Sequence, residues 1–104
     1  MKPIGAHNYF VYMTTNRNKS VLYTGVTNDL LRRLNEHKEE SFKGKRSFVG
    51  RYNAYYLVYY ECFDYILNAI SREKEIKSWK RKKKDALVAG FNPEWKFLNE
   101  ELEP

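Results

Sequence analysis

The feature that most constrains the fold is an apolar run from Ala54 to Phe63, which reads Ala-Tyr-Tyr-Leu-Val-Tyr-Tyr-Glu-Cys-Phe. A run this continuous does not suit a strand with one wet face, so we predict a strand that is covered on both faces. Cys62, the single cysteine of the chain, lies in this run. We expect it to be a small core residue, and one cysteine excludes an intramolecular disulfide and a cysteine-cluster metal site.

Two earlier strands, Tyr9 to Thr14 and Val21 to Val26, are aromatic or β-branched, and the turn residues at 16–19 join them as a hairpin. Residues 41–53 are polar, basic and glycine-containing and are predicted as a loop. Apolar periodicity and capping residues predict three helices. The first runs from a cap at Thr27 or Asn28, with Asp29 in its first turn, to about Glu39. The second runs from a cap at Asp64 to about Lys80, and a short third helix at Asp85–Ala89 ends at Gly90.

This order indicates an α+β fold in which a small three-stranded antiparallel sheet is flanked by helices (ββαβα plus a short third helix). A length of 104 residues fits one domain spanning residues 1–104.

The charge balance is 19 Lys plus Arg against 13 Asp plus Glu, a net of +6. Basic surfaces gain affinity for polyanions through counterion release, which favours a nucleic-acid partner, although a protein can also be basic without one. The N-terminus has no apolar signal-peptide region, and no segment approaches the roughly 20 apolar residues that cross a bilayer. We therefore expect a cytoplasmic protein with no membrane partner.

The second predicted helix contains an anomaly. At ~100° per residue, Glu73 falls in the middle of the apolar stripe that carries Ala69 and Ile76, while Glu75 falls on the opposite face. A buried carboxylate needs a cationic partner or a metal. Two readings stay open: a salt bridge to a buried Arg or Lys, or a ligand for a hard cation such as Mg²⁺. No second carboxylate shares the stripe, which disfavours a two-metal site.

On the first helix, the same projection puts Arg33 and His37 together at the edge of the leucine face. Arg33 is either the partner of Asp29 in a modest exposed pair or a clamp for phosphate, which its planar guanidinium suits. His37 is either a surface residue or an aid to proton transfer.

Together these residues resemble the signature of the GIY-YIG nuclease family. Tyr12 ends the segment Tyr9-Phe10-Val11-Tyr12, and Tyr23 begins the segment Tyr23-Thr24-Gly25. Arg33 follows the glycine by eight residues, and Glu73 follows an alanine by four. The first motif reads Phe-Val-Tyr in place of Gly-Ile-Tyr, but both tyrosines and the glycine are present. The resemblance covers residues 8–98 and is to the short single-domain branch, similar to the N-terminal nuclease domain of the bacterial excision-repair nuclease subunit.

The resemblance implies a Mg²⁺-dependent (or Mn²⁺-dependent) endonuclease that hydrolyses DNA phosphodiesters, with branched, nicked or damaged DNA in repair or recombination as candidate substrates. Its implied catalytic set is Tyr12, Tyr23, Arg33, His37 and Glu73, with Glu73 as the metal ligand. Two alternatives stay open: a catalytically inactive nucleic-acid-binding module of the same fold, and a protein-interaction domain whose basic face meets an acidic partner.

Two basic segments with interleaved aromatic residues are candidates for gripping the nucleic acid, because charge and base stacking together suit flexible or single-stranded substrates. The predicted nucleic-acid-binding residues are Lys43, Lys45, Arg46 and Arg51 in the loop, and Lys77, Lys80 and Arg81 at the end of the second helix. The second segment, which continues to Lys84, also has a simpler interpretation as a solvated helix end favoured by the helix dipole.

Overall fold

The computed structural model describes residues 8–43 and 46–102. Three strands, four α-helices and one 3₁₀ turn follow one another in this order: β1 (Tyr9–Thr15), β2 (Leu22–Thr27), α1 (Leu30–Phe42), α2 (Phe48–Tyr52), β3 (Tyr56–Phe63), α3 (Ile66–Lys77), α4 (Arg81–Phe91) and η1 (Asn99–Leu102).

The strands form one antiparallel sheet in the order β2-β1-β3, so β1 is central and the other two are edges. Tyr12 of β1 lies opposite Gly25 of β2 and Tyr60 of β3. The three-stranded antiparallel sheet with flanking helices confirms the predicted α+β fold.

Each face of the sheet carries its own apolar cluster because successive strand residues point to opposite sides. Val11 and Met13 pack with Ala69 and Ile76 of α3 and Val88 of α4 on what we call the α3 face. The opposite side, the α1 face, carries a second cluster formed by Tyr12, Leu30, Leu34, Leu57 and Leu98. The prediction that β3 is covered on both faces is confirmed, since Leu57 belongs to one cluster and Tyr59 to the other.

The predicted loop at 41–53 is partly wrong, because it contains the short helix α2. The hydroxyl of Ser47 caps this helix by accepting a hydrogen bond from the Gly50 amide, and Asn53 ends it in a left-handed conformation (φ 55°). Buried Val49 anchors it to the body. Ser and Asn are favourable at these two positions, so the capping residues were the signal in a segment that composition marked as a loop.

Three helix boundaries also differ from the prediction. Asp29 is itself the cap of α1, where its carboxylate accepts from the Arg32 amide at 3.1 Å. Helix α3 begins after Tyr65, which offers no side-chain cap, and ends before Ser78. Helix α4 is twice the predicted length because Lys and Arg are good helix formers, so the basic run continues the helix toward its N-terminus.

The expectation that Cys62 belongs to the core is wrong. Its thiol is exposed, because β3 is an edge strand and its outer end leaves the covered part of the sheet. In the part of the chain that the structure describes, no helix is long and apolar enough to span a membrane.

Candidate active site

Tyr12 is the centre of a polar cluster on the α1 face. It is fully buried, and its hydroxyl lies 2.7 Å from Nε2 of His37 in a hydrogen bond. Burial raises the pKa of Tyr12 above its ordinary value of about 10, and the neighbouring Tyr23 acts in the same direction. The hydroxyl is therefore a neutral phenol at neutral pH.

Gly25 makes room for this hydroxyl. A Cβ at this position would lie 2.6 Å from the Tyr12 hydroxyl oxygen and 2.9 Å from Cε2 of Tyr23. Contacts this short do not occur in folded proteins, so the glycine of the second motif is required by close approach of the tyrosine across the strand pair.

His37 projects from α1 and has only 1% of its surface exposed, so it is not the surface histidine of the simpler interpretation. Burial, with the positive charge of Arg33 as a second cause, lowers the pKa of His37 to about 4. Its Nδ1 atom lies 3.9 Å from Oε2 of Glu40, which is longer than a hydrogen bond. The imidazole is thus neutral at pH 7 and holds an unshared electron pair inside the cluster.

Arg33 does not pair with Asp29, whose carboxylate caps α1. Its Nη1 atom lies 3.2 Å from Glu36 and 3.5 Å from Glu40. Its positive charge also acts on the Tyr12 hydroxyl and lowers the pKa of that group, against the larger effect of burial. About a third of the Arg33 side chain is exposed, so the guanidinium joins the buried hydroxyl to solvent.

Tyr23 closes the group that we call the Tyr12 cluster: Tyr12, Tyr23, Arg33 and His37. Its ring lies edge-on to His37, with centroids 5.3 Å apart, and 6.1 Å from the ring of Tyr12. On its outer side it stacks with Phe48 of α2 at 6.2 Å and 30°. Four of the five predicted catalytic residues therefore come together on one face.

Two members of this neighbourhood were missed by the sequence interpretation. Glu40 lies beside both Arg33 and His37, and Phe48 covers Tyr23. The helical spacing of Glu40 from His37 and Arg33 was a usable signal for the first. Nothing in the local pattern pointed to the second, because its contact depends on how α2 folds back.

Glu73, the fifth predicted catalytic residue, belongs to helix α3. Ala69 and Ile76, its neighbours along the stripe of α3, pack on Val11 and Met13, which point away from Tyr12. The Glu73 side chain is 16% exposed, and its Oε2 atom lies 3.4 Å from Nζ of Lys77. Helix α3 packs across both β1 and the edge strand β2, and β2 also carries Tyr23.

Glu73 could hold a cation only as its single protein ligand. Among residues 8–43 and 46–102, no group of three His, Cys, Asp or Glu side chains could hold a metal ion. Mg²⁺ usually keeps several waters and takes one or two carboxylates together with substrate phosphate. A single half-buried carboxylate satisfies that requirement, so Glu73 fits a divalent cation with one protein ligand.

Of the predicted nucleic-acid-binding residues of the first segment, Arg51 lies in α2 and Arg46 lies just before it. Arg46 and Arg51 are exposed and lie on either side of Phe48 in the sequence. Lys43 is the C-cap residue of α1, and its Nζ atom forms an ion pair with Glu39 at 2.7 Å. Lys45 lies outside the described residues. Phe42, Phe48 and Tyr52 are exposed among them. We call the exposed residues Phe42, Lys43, Arg46, Phe48, Arg51 and Tyr52 the α2 patch. The patch adjoins the Tyr12 cluster through the stacking of Phe48 on Tyr23.

The second basic segment lies at the N-terminus of α4, where Lys80 is the cap and residues 81–84 form the first turn. The simpler interpretation, a helix end favoured by the dipole, is confirmed for Lys77 in the last turn of α3 and is wrong for residues 80–84, because the dipole disfavours cations at an N-terminus. Arg81 is engaged locally, with hydrogen bonds to Asp85 and to the carbonyls of Lys19 and Ser20. Lys80 is exposed, and Lys77 is paired with Glu73.

An antiparallel hairpin that brings two tyrosines beside an arginine and a glycine defines a class of nuclease domain. The GIY-YIG catalytic domain matches residues 8–85, and the chain belongs to the GIY-YIG family. This confirms the resemblance inferred from the spaced motifs, and the family is one of endonucleases whose members generally use divalent metal ions.

Within that family the chain is similar to UPF0213 proteins. It is 43% identical to one from Haloquadratum walsbyi over 77% of this chain and 85% of the other, and 39% identical to one from Bacillus pumilus over 79% and 80%. The solution NMR structure of a UPF0213 protein from Bacillus halodurans is 31% identical, with a TM-score of 0.54 over 92% of this chain and 97% of the other.

Proposed function

We propose that this chain is a metal-dependent endonuclease that hydrolyses phosphodiester bonds in DNA. The observation that carries the proposal is the buried hydrogen bond between Tyr12 and a neutral His37, flanked by Tyr23 and a partly exposed Arg33. Strongly perturbed pKa values cluster at functional sites, and a site that holds a phenol, an imidazole and a guanidinium together suits proton transfer beside a phosphate.

Arg33 is the proposed phosphate ligand. Its exposed side can donate to a nonbridging oxygen, while Glu36 and Glu40 fix the guanidinium from the protein side. Charge grows on the phosphate oxygens as the new bond forms, and a preorganised cation stabilises that charge more than the ground state.

Tyr23 is the proposed contact with the attacking water, because Tyr12 is wholly buried and Tyr23 is not. A tyrosine removes a proton at neutral pH only if the proton has somewhere to go, since the ordinary pKa of the phenol is about 10. Tyr12 and the neutral His37 supply that route. The imidazole accepts the proton that leaves the water, by way of the two hydroxyls.

Glu73 is the proposed metal ligand and would hold Mg²⁺ or Mn²⁺ together with waters and substrate phosphate. When bound, the cation neutralises charge on the phosphate and on the leaving oxygen. Lys77, which pairs with Glu73, would release the carboxylate and turn to a phosphate.

The α2 patch is the proposed grip on the nucleic acid. Exposed aromatic rings with Arg46 and Arg51 among them suit unpaired bases and a flexible backbone. Branched or damaged DNA offers such bases, so the proposed substrates are branched, nicked or damaged DNA in repair or recombination, and the proposed location is the cytoplasm. Lys43 and Lys80 are exposed and are proposed as further phosphate contacts.

The second candidate is a catalytically inactive nucleic-acid-binding module of the same fold. One observation favours it: Glu73 belongs to α3 and is paired with Lys77, while the Tyr12 cluster lies on the other face of the sheet. Binding by such a module would need neither Glu73 nor a metal.

Cleavage of labelled single-stranded, duplex and branched DNA, with Mg²⁺ or with EDTA, separates the two candidates. Wild type is compared with Glu73→Ala and with the matched control Glu75→Ala, which removes an exposed carboxylate paired with Arg72 on the same helix. Metal-dependent cleavage that is lost in Glu73→Ala and kept in Glu75→Ala supports the nuclease. Salt-sensitive binding without cleavage in the wild type transfers the proposal to the binding module.

A further inference from the structure

In the mechanism above Glu40 only fixes Arg33, yet its carboxylate also lies beside His37 and Ser47. Oε1 lies 3.5 Å from Nη1 of Arg33, and Oε2 lies 3.9 Å from Nδ1 of His37. Oε2 also accepts a hydrogen bond from the Ser47 hydroxyl at 2.9 Å. Because Ser47 caps α2, the carboxylate is held between two helices and cannot turn away freely.

The position of this carboxylate decides which nitrogen of His37 carries the proton. A neutral imidazole has one N–H and one unshared pair, and either nitrogen can hold the proton. With the proton on Nε2, the unshared pair of Nδ1 would be buried facing a carboxylate, which repels it. With the proton on Nδ1, the N–H dipole points at Glu40, and Nε2 accepts a hydrogen bond from Tyr12.

We propose that Glu40 is a positioning residue that holds His37 as its Nδ1–H tautomer, so that Nε2 is the acceptor for the proton of Tyr12. This inference rests on the proposed function for its catalytic consequence, although the tautomer itself does not. An imidazole fixed by a carboxylate at one nitrogen is directed toward its reaction partner at the other.

In this step one proton is transferred from water to His37 through the hydroxyls of Tyr23 and Tyr12. The Tyr12 O–H bond breaks as the His37 Nε2–H bond forms, Tyr12 takes the proton of Tyr23, and Tyr23 takes one from water. The products are hydroxide, which attacks phosphorus, and an imidazolium, with both phenols regenerated. Glu40 stabilises the imidazolium electrostatically.

Every charged or titratable group that faces His37 acts on this balance. From α1, Glu40 and Glu36 raise the pKa of His37, while Arg33 and burial lower it to about 4. Tyr12 and Tyr23 face the ring from β1 and β2. The imidazole is therefore a weak base at rest, and loss of Glu40 makes it weaker still.

The test measures the tautomer directly. The full chain with ¹⁵N-labelled histidine and His7→Gln, which leaves His37 as the single imidazole, is studied by NMR at pH 7 without DNA. Wild type is expected to show Nδ1 protonated and Nε2 unprotonated. Glu40→Ala is expected to lose that preference, while Glu36→Ala, the matched carboxylate one turn earlier, is expected to keep it. Alanine favours helix, so both variants should fold.

If His37 carries its proton on Nε2 in the wild type, or if Glu40→Ala leaves the Nδ1–H tautomer unchanged, the proposal is overturned. Where cleavage is observed, Glu40→Ala is expected to lower kcat on the order of 10- to 100-fold with little change in KM. A chain that cuts no DNA but shows the Glu40-dependent tautomer would remove the nuclease and leave the positioning role intact.

Discussion

Replacement of Gly25 by alanine tests the packing of the site most directly. The added Cβ would lie 2.6 Å from the hydroxyl oxygen of Tyr12, 2.7 Å from its Cζ and 2.9 Å from Cε2 of Tyr23. Tyr12 cannot retreat freely because it is fully buried and hydrogen-bonded to His37. Either the hairpin strands separate or the phenol moves and its hydrogen bond is lost.

Both responses cost stability. Overpacking a filled core costs about 1–3 kcal/mol, and the loss of a buried hydrogen bond adds about 1 kcal/mol. We therefore expect Gly25→Ala to lower the free energy of unfolding by about 2–4 kcal/mol. In a domain of this size about 1 kcal/mol corresponds to ~4–8 °C, so Tm should fall by ~10–25 °C.

The assay is urea unfolding at pH 7 followed by circular dichroism. Gly90→Ala is the matched control, since a Cβ there meets no atom within 4 Å and Gly90 lies in helix α4. That variant should gain about 0.5–1 kcal/mol. If Gly25→Ala unfolds at the same urea concentration as wild type, the close approach of Tyr12 to β2 is wrong.

Three further predictions concern acid stability, a buried amide and the basic helix start. Because the pKa of His37 is lowered to about 4 in the fold, the unfolded chain binds a proton first as pH falls below about 6.5. The contribution of neutral His37 to the free energy of unfolding is therefore complete above about pH 6.5 and decreases as the pH falls to about 4. The variant His37→Asn should flatten the pH dependence of the urea midpoint over this range. Asn92 is buried, and its side-chain amide donates a hydrogen bond to the Val58 carbonyl at 3.1 Å. Asn92→Ala should therefore lower the free energy of unfolding, measured in urea, by about 1–3 kcal/mol. An unchanged urea midpoint would contradict this prediction. The double variant Lys80→Gln/Lys82→Gln should reduce the slope of log binding constant against log salt concentration by roughly 1.8, because two phosphate contacts are lost. It should also raise Tm, since cations at the start of α4 are unfavourable. An unchanged slope would exclude both lysines from the DNA interface.

The elements of the fold followed from local chemistry. Residues 54–63 predicted a strand covered on both faces, and the turn at 16–19 predicted the hairpin. Helix α2 was missed because composition outweighed its caps, Ser47 and Asn53. The extent of α4 was missed because a run of charges was not weighed as a run of good helix formers.

The candidate site divides in the same way. Helical projection placed Arg33 beside His37 and put Glu73 on the apolar stripe, since these relations lie within single elements. It gave no means of knowing that His37 is buried against Tyr12, that Phe48 covers Tyr23, or that Glu40 reaches Ser47. Each of those contacts joins two different elements, and a pattern within one element does not reveal it.

The sequence by itself determined the three strands, the helices α1 and α3, and the spacing of the two tyrosines, the glycine and the arginine, and that spacing indicated the family. Only the tertiary structure decided which sheet face each side chain occupies. Side-chain alternation has a period of two, so a strand always presents two faces, and the packing of α1 and α3 on opposite sides decides what each face meets. For that reason Tyr12 meets His37, and Ala69 and Ile76 of α3 pack on the other side of the sheet.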